Sequence, residues 1–346
     1  MRVRAGVNAV DAGGKGFIKE SALTFSSATT AVPPGSPAEA DLWSGHSRFL
    51  AFWEGAVTVG LVICAIITVL TTAGIVLVLG VQSLEFFSCA NISIFDFLFG
   101  TELKPDANPP RFGIVPLMWG TFLVAAGASM IALPIGLLSA IYLSEYAPRA
   151  VRTVLKPTLE LLAGIPTIVY GYLALLLVTP MLKRLLEPLG LRVETFNALA
   201  ACIVVGVMII PLVSSLSEDV LSAVPRGLRE AAYGLGATKF EVSTRIVLPA
   251  GLSGVFASFI LAISRAVGET MAVVLAAGMR PQITLNPLTS IETMTTYIVQ
   301  VIGGDASYGE PKYLSLFAVG LTLFVVTLTL NIISGLVLRH FREVYQ

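Results

Sequence analysis

PRGLREAAYGLGATKFEVSTRIVLPA, residues 225–250, lies between two long apolar runs. Pro225 suits the first turn of a helix. Leu228, Ala231, Ala232 and Leu235 then recur at helical spacing. Gly236 suits the left-handed conformation that ends a helix, and Thr238 with Glu241 forms the capping-box pattern that opens another. Pro249 marks the entry to the next apolar run. The stretch therefore predicts two short helices at a sharp angle with small residues on one face. Such a knob can be gripped by a partner and transmit rigid-body motion. A plain amphipathic connector would carry the same local signals.

What surrounds this loop is apolar. The chain of 346 residues is 55% hydrophobic and 13% charged, with a mean hydropathy of +0.84, whereas soluble domains carry about 25% charged residues. A helix needs about 20 mostly apolar residues to cross a bilayer. Gly55–Leu84, Phe112–Ser144, Leu161–Leu182, Thr195–Ser217 and Tyr313–Leu338 meet that length without a charge, and Ile246–Met279 meets it interrupted only by Arg265 and Glu269. The expectation is an all-α integral membrane protein with six transmembrane helices. Continuous apolar character excludes a β-barrel, whose strands alternate.

Lys and Arg set the orientation. With the N-terminus in the cytoplasm, inner segments carry fourteen of them and outer segments seven. Both termini and the 225–250 loop are then cytoplasmic. Residues 1–47, rich in Ala, Gly, Ser, Thr and Pro, read as a disordered tail, and 48–346 as the transmembrane domain, with its cytoplasmic loop at 217–250. Formal net charge is zero, which gives no field suited to nucleic acid. Cys64, Cys89 and Cys202 form neither a disulfide framework nor a metal set, and His46 and His340 offer no catalytic pair. No phosphate-cradling GxxxxGK[ST] loop occurs, so the chain is expected to hold no nucleotide and to catalyse no hydrolysis.

Smaller signals remain. Pro166 removes a backbone donor and is expected to kink the third span, with Thr167 and Tyr170 either satisfying freed groups or lining a path. Lys156 and Glu160, at i, i+4, read as a solvated pair. Thr289 and Glu292 form a capping-box pattern ahead of Ile291, Met294, Ile298 and Val301, which predicts a short amphipathic helix on the outer surface.

The loop resembles one family specifically. Glu230, Ala231, Ala232, Gly236, Ile246, Leu248 and Pro249 fill every position of the coupling-loop signature of ABC importer permeases. FLFGTELKP (97–105), RFGIVPL (111–117), AIYLSEYAP (140–148), LLAGIPTIVYG (161–171) and SRAVGETMAV (264–273) resemble the phosphate-specific branch, and the run from Gly268 to Val273 its C type. The resemblance covers roughly residues 50–343. It implies the type I importer permease fold and a plasma-membrane subunit that forms half of a path for inorganic phosphate. Implied partners are an A-type permease paralogue, two ABC ATPase subunits that use ATP and Mg, and a periplasmic or lipid-anchored phosphate-binding protein. Sulfate or molybdate as cargo, an ATPase-independent secondary transporter or channel, and a non-transporting sensor are the alternatives.

Within that reading Arg265, Glu269 and Thr270 are the substrate-translocation residues. A charged side chain at the centre of a span costs about 2.5–3.5 kcal/mol on insertion scales. The i, i+4 spacing lets the two charges neutralise each other. A guanidinium presents a planar fork of donors that matches phosphate oxygens. Glu269 can hold Arg265 in the empty state, or accept a hydrogen bond from the proton phosphate carries. A salt bridge that only fixes helix packing is the alternative.

Overall fold

The computed structural model describes residues 37–90 and 92–340, with side chains from 52 to 89 and from 92 to 336. The expected tail therefore lies largely outside the described residues. Helix α1 (Pro37–Ala90) begins ahead of the boundary expected at 47. The chain divides into two units at Thr68 and Val69. The first comprises the earlier part of α1, whose described side chains are all exposed.

The second unit runs from Val69. After α1 come α2 (Ile94–Phe99), capped by the Ser93 side chain, and a two-stranded hairpin, β1 (Leu103–Lys104) with β2 (Arg111–Phe112), paired antiparallel with Leu103 opposite Phe112. Helix α3 (Val115–Ile141) ends in a π turn at Tyr142–Tyr146, and the amphipathic α4 (Arg149–Ala163) follows. Helices α5 (Thr167–Leu173) and α6 (Thr179–Leu186) run on through a π turn. Helix α7 (Ala198–Ala223) starts under an Asn197 cap. Next come α8 (Arg226–Gly234), α9 (Lys239–Val242), α10 (Leu248–Ala250), α11 (Leu252–Val267), α12 (Met271–Ala277), α13 (Met294–Gly303) and α14 (Pro311–His340).

Among the described residues, five stretches are long and apolar enough to cross a membrane: Phe52–Cys89, Val115–Tyr146, Thr167–Leu189, Ala198–Ala223 and Pro311–Leu336. A sixth is a pair, Lys239–Ala250 with Leu252–Val267, bent by 72°. Six spans hold if that pair counts as one, and two of the expected boundaries move. Leu161–Ala163 belong to α4, because Gly164–Pro166 breaks the helix there; Pro166 thus separates two helices and does not kink one. The fifth apolar run is broken as well, at Gly268–Thr270.

Helices α3 and α7 form the centre of the unit. Between helices in lipid, association depends on close backbone approach through small residues. A methyl group at Gly136 would lie 2.7 Å from the Val213 side chain, and one at Gly127 would collide with the Cys202 sulfur. Around this pair Val124, Ala128, Val205 and Ile209 pack with Ala262 and Ala266 of α11 and Ala272 and Ala276 of α12. A second cluster joins Phe86, Phe97 and Phe112 to Leu117, Met294, Tyr297 and Leu314. It seats α13 inside the fold. The amphipathic helix expected on the outer surface is instead a core element, because Met294, Thr295, Thr296, Tyr297 and Val301 are all buried.

Candidate functional site

The break in the fifth span places the ionic residues. Arg265 is in the last turn of α11, and Glu269 follows Gly268, beyond the helix end. They meet across the break, Arg265 Nη1 donating to Glu269 Oε2 at 2.5 Å. Glu269 is 2% exposed, whereas the Arg265 side chain is 44% exposed. The other carboxylate oxygen, Oε1, accepts from the Ala272 backbone N–H at 3.3 Å and so satisfies a free donor at the start of α12. The Glu269 carbonyl accepts from Thr295 Oγ1 at 2.8 Å, in a buried threonine cluster with Thr293 and Thr296.

The asymmetry decides what the pair can do. Glu269 is fixed by three elements, while among the described residues Arg265 has Glu269 as its one polar partner. Most of the guanidinium donors remain open. A planar cationic fork anchored at one corner can accept an oxyanion without being uncovered first. Thr270, half-buried, donates to Gly268 O at 3.3 Å and stands at the same break.

Tyr170 lies in the core cluster that contains Ala266, Val267 and Ala272, and its hydroxyl donates to Leu162 O at 3.0 Å. It thereby ties the two sides of the Gly164–Pro166 break together. Thr167 is half-buried and Pro166 exposed at that break.

The 225–250 stretch folds as its residue types dictate. Helix α8 ends at Gly234, and Gly236 has φ +84°, with Ala237 N–H bonded back to Ala232 O. Both halves of the Thr238–Glu241 capping box form. Glu230 and Ala231 are exposed and Ala232 is buried. Leu235 is 91% exposed and Phe240 68%. Ile246 and Leu248 are half-buried and Pro249 exposed, just before the 72° bend.

The sequence reading missed Glu218 altogether and gave Glu292 a capping role that it does not have. Glu218 on α7 is fully buried and binds Arg152, Lys156 and Ser222. Lys156 thus turns from the expected Glu160 to Glu218, 2.7 Å away, and to Asp219. Partial burial alone would lower the Lys156 pKa, but Asp219 and Glu218 outweigh it and hold it above its ordinary value. Glu292 does not cap α13; Thr293 does, accepting from Thr296 N–H. Glu292 instead lines a cavity of 370 Å³ with Lys104, Asp106, Tyr297 and Lys312, and its Oε1 has no hydrogen-bond partner among the described residues.

Burial pushes the Glu292 carboxyl from 4.5 up to about 8. Between those values the folded chain holds a proton that the unfolded chain has lost. Its contribution to stability is therefore full below pH 4.5 and falls as pH rises towards 8. Glu292→Gln is expected to raise the thermal midpoint of the purified chain at pH 8 and to change it little at pH 5. An equal shift at both pH values would show that the carboxyl is not held neutral.

A close α3–α7 pair and a two-helix loop ahead of a bent span fit the type I ABC importer permease fold. The residue range 132–343 matches the family model described as "Binding-protein-dependent transport system inner membrane component", and the chain belongs to that family. It is 33% identical over 264 residues to the "Probable ABC transporter permease protein YqgH" of Bacillus subtilis, covering 76% of this chain and 84% of that one. It is 36% identical over 258 residues to the "Phosphate transport system permease protein PstC" of Xylella fastidiosa strain Temecula1, covering 70% and 78%. Among solved structures, a bacterial ABC transporter that imports the acidic polysaccharide alginate matches with TM-score 0.58 at 16% identity, over 88% of this chain and all of that one. That likeness concerns the fold.

Proposed function

We propose that the chain is the C-type permease subunit of an ATP-driven importer of inorganic phosphate in the plasma membrane, and that Arg265 meets the anion. The observation that carries this is the open guanidinium, anchored at one corner by a buried carboxylate in the break of the fifth span. Relatives named as phosphate permeases supply the cargo. Glu269 holds Arg265 in the empty state, and Thr270 adds a hydroxyl beside it. One chain exposes much of its apolar surface and one side of Arg265, so a second permease, the A-type paralogue, completes the path.

The energy comes from partners. Two ATPase subunits bind ATP and Mg, and they grip the loop from Glu230 to Pro249, where Leu235 and Phe240 offer exposed apolar contacts. A periplasmic or lipid-anchored binding protein delivers phosphate at the opposite face. Import requires that ATP and the loaded binding protein favour different states of the permease pair. Both termini and the coupling loop then face the cytoplasm.

The test is uptake of labelled phosphate in a strain lacking its own system, with the partner subunits supplied and with or without this chain. Uptake should require the chain, the chain should co-purify with the ATPase, and excess sulfate should not compete. Competition by sulfate would move the cargo to another oxyanion. Uptake that persists with a hydrolysis-dead ATPase would point to a secondary transporter.

A further inference from the structure

Arg229 precedes Glu230 of the coupling loop, yet its side chain faces the spans and not the surface open to a partner. It is 15% exposed and its ion-pair partner Glu145 8%. Nη2 and Nε donate to Glu145 Oε1 at 2.9 and 3.2 Å. Nη1 donates to Val224 O at 2.6 Å, and Nη2 also to Leu221 O at 2.7 Å. Glu145 sits in the π turn that ends α3, and Leu221 and Val224 form the end of α7. One guanidinium therefore holds α8 to the ends of both helices of the central pair.

The arrangement suits a planar fork and no other side chain. Three acceptors on two elements are met at once, and two are carbonyls at a helix C-terminus, where a cation is favoured. Besides this fork, α8 is tied to the spans by one buried residue, Ala232, which packs in a small apolar cluster with Ala140 of α3 and Leu221 and Val224 at the end of α7. The opposite end of the loop has a covalent route, through α10 and the bend into α11. Helix α7 joins α8 directly through Val224–Pro225, a link about which α8 can pivot, whereas α3 meets α8 through side chains alone.

We propose that Arg229, with Glu145, is the positioning residue through which motion of the coupling loop reaches α3 and α7. This rests on the coupling-loop reading above. Displacement of α8 by the ATPase then moves the central pair as one body together with α11. Without the fork, α8 can pivot about the Val224–Pro225 link and follow the ATPase while α3 and α7 lag, and hydrolysis runs without transport.

The experiment uses the assembled importer in proteoliposomes with its binding protein and labelled phosphate, comparing wild type with Arg229→Lys and Glu145→Gln. Glu145→Gln keeps side-chain shape and one acceptor, so it serves if the Lys variant does not assemble. The readout is ATP hydrolysed per phosphate moved, which a loss of protein does not change. The expected result is a rise in that ratio of about tenfold in both variants, within the range that coupling between sites usually spans. Hydrolysis and uptake that fall in proportion, or that both stay at wild-type levels, would overturn the junction and leave the importer reading intact. A wild-type complex whose uptake ignores ATP would overturn that reading and the junction with it.

Discussion

Gly236→Val is expected to abolish phosphate uptake while leaving the chain in the membrane at near-normal abundance. Gly236 has φ +84°, and no atom lies within 4 Å of where a Cβ would stand. The substitution meets no clash, so its whole cost is in the backbone. A β-branched residue at positive φ is disfavoured by roughly 1–2 kcal/mol or somewhat more. That is small against the total stability of a folded chain, about 5–15 kcal/mol. The chain stays folded and relieves the strain locally by returning φ to negative values. That rotation redirects α9 relative to α8, and with it Leu235 and Phe240, the exposed apolar contacts on either side of the turn. Co-purification with the ATPase should fall with uptake, and Gly236→Ala should be milder because it lacks the branched β-carbon. A Gly236→Val importer that docks its ATPase and transports normally would show that this turn is not the docking knob.

How far the sequence carried depends on whether a feature is local. The Gly236 turn and the Thr238–Glu241 capping box each involve residues within five positions of each other, and both form as the residue types dictate. The spans were legible because apolar length is a sum over neighbours. Breaks inside apolar runs were not. Leu161–Ala163 read as the start of a span, since the apolar face of α4 continues without a polar gap into α5, and only Gly164–Pro166 interrupts it. Pairings across the fold were also hidden. Lys156 leaves its neighbour Glu160 because Glu218, fully buried on α7, gains far more from a cation than an exposed carboxylate does. Glu292 fitted a capping box by spacing, but Thr293 takes the cap and Glu292 is turned inward. The i, i+4 spacing of Arg265 and Glu269 foretold that they meet. It did not foretell that a helix end lies between them, which is what fixes the carboxylate and leaves the guanidinium open.

That difference makes the Arg265 variants the sharpest measurement of the proposed transport site. Arg265→Lys keeps the charge, loses the planar fork and holds its own hydration more tightly. It should lower initial phosphate uptake at least about tenfold with little loss of assembled complex, since a contact worth 1.4 kcal/mol is one decade. Arg265→Gln should be at least as poor and should also lose assembly. Glu269 is 2% exposed, and removing the partner of a buried charge costs about 3–5 kcal/mol. The double variant Arg265→Gln with Glu269→Gln removes both charges. Gln can still accept the Ala272 N–H, so the start of α12 stays satisfied and assembly should return. Uptake should not return, because no cation remains in the break to meet the anion. A pair that only fastens α11 to α12 predicts the opposite, recovery of uptake along with assembly. Membrane abundance, co-purification with the ATPase and initial uptake, measured for wild type and the three variants, separate the two. Near-normal uptake by the neutral double variant would remove Arg265 from the path while leaving the family assignment and the coupling loop untouched.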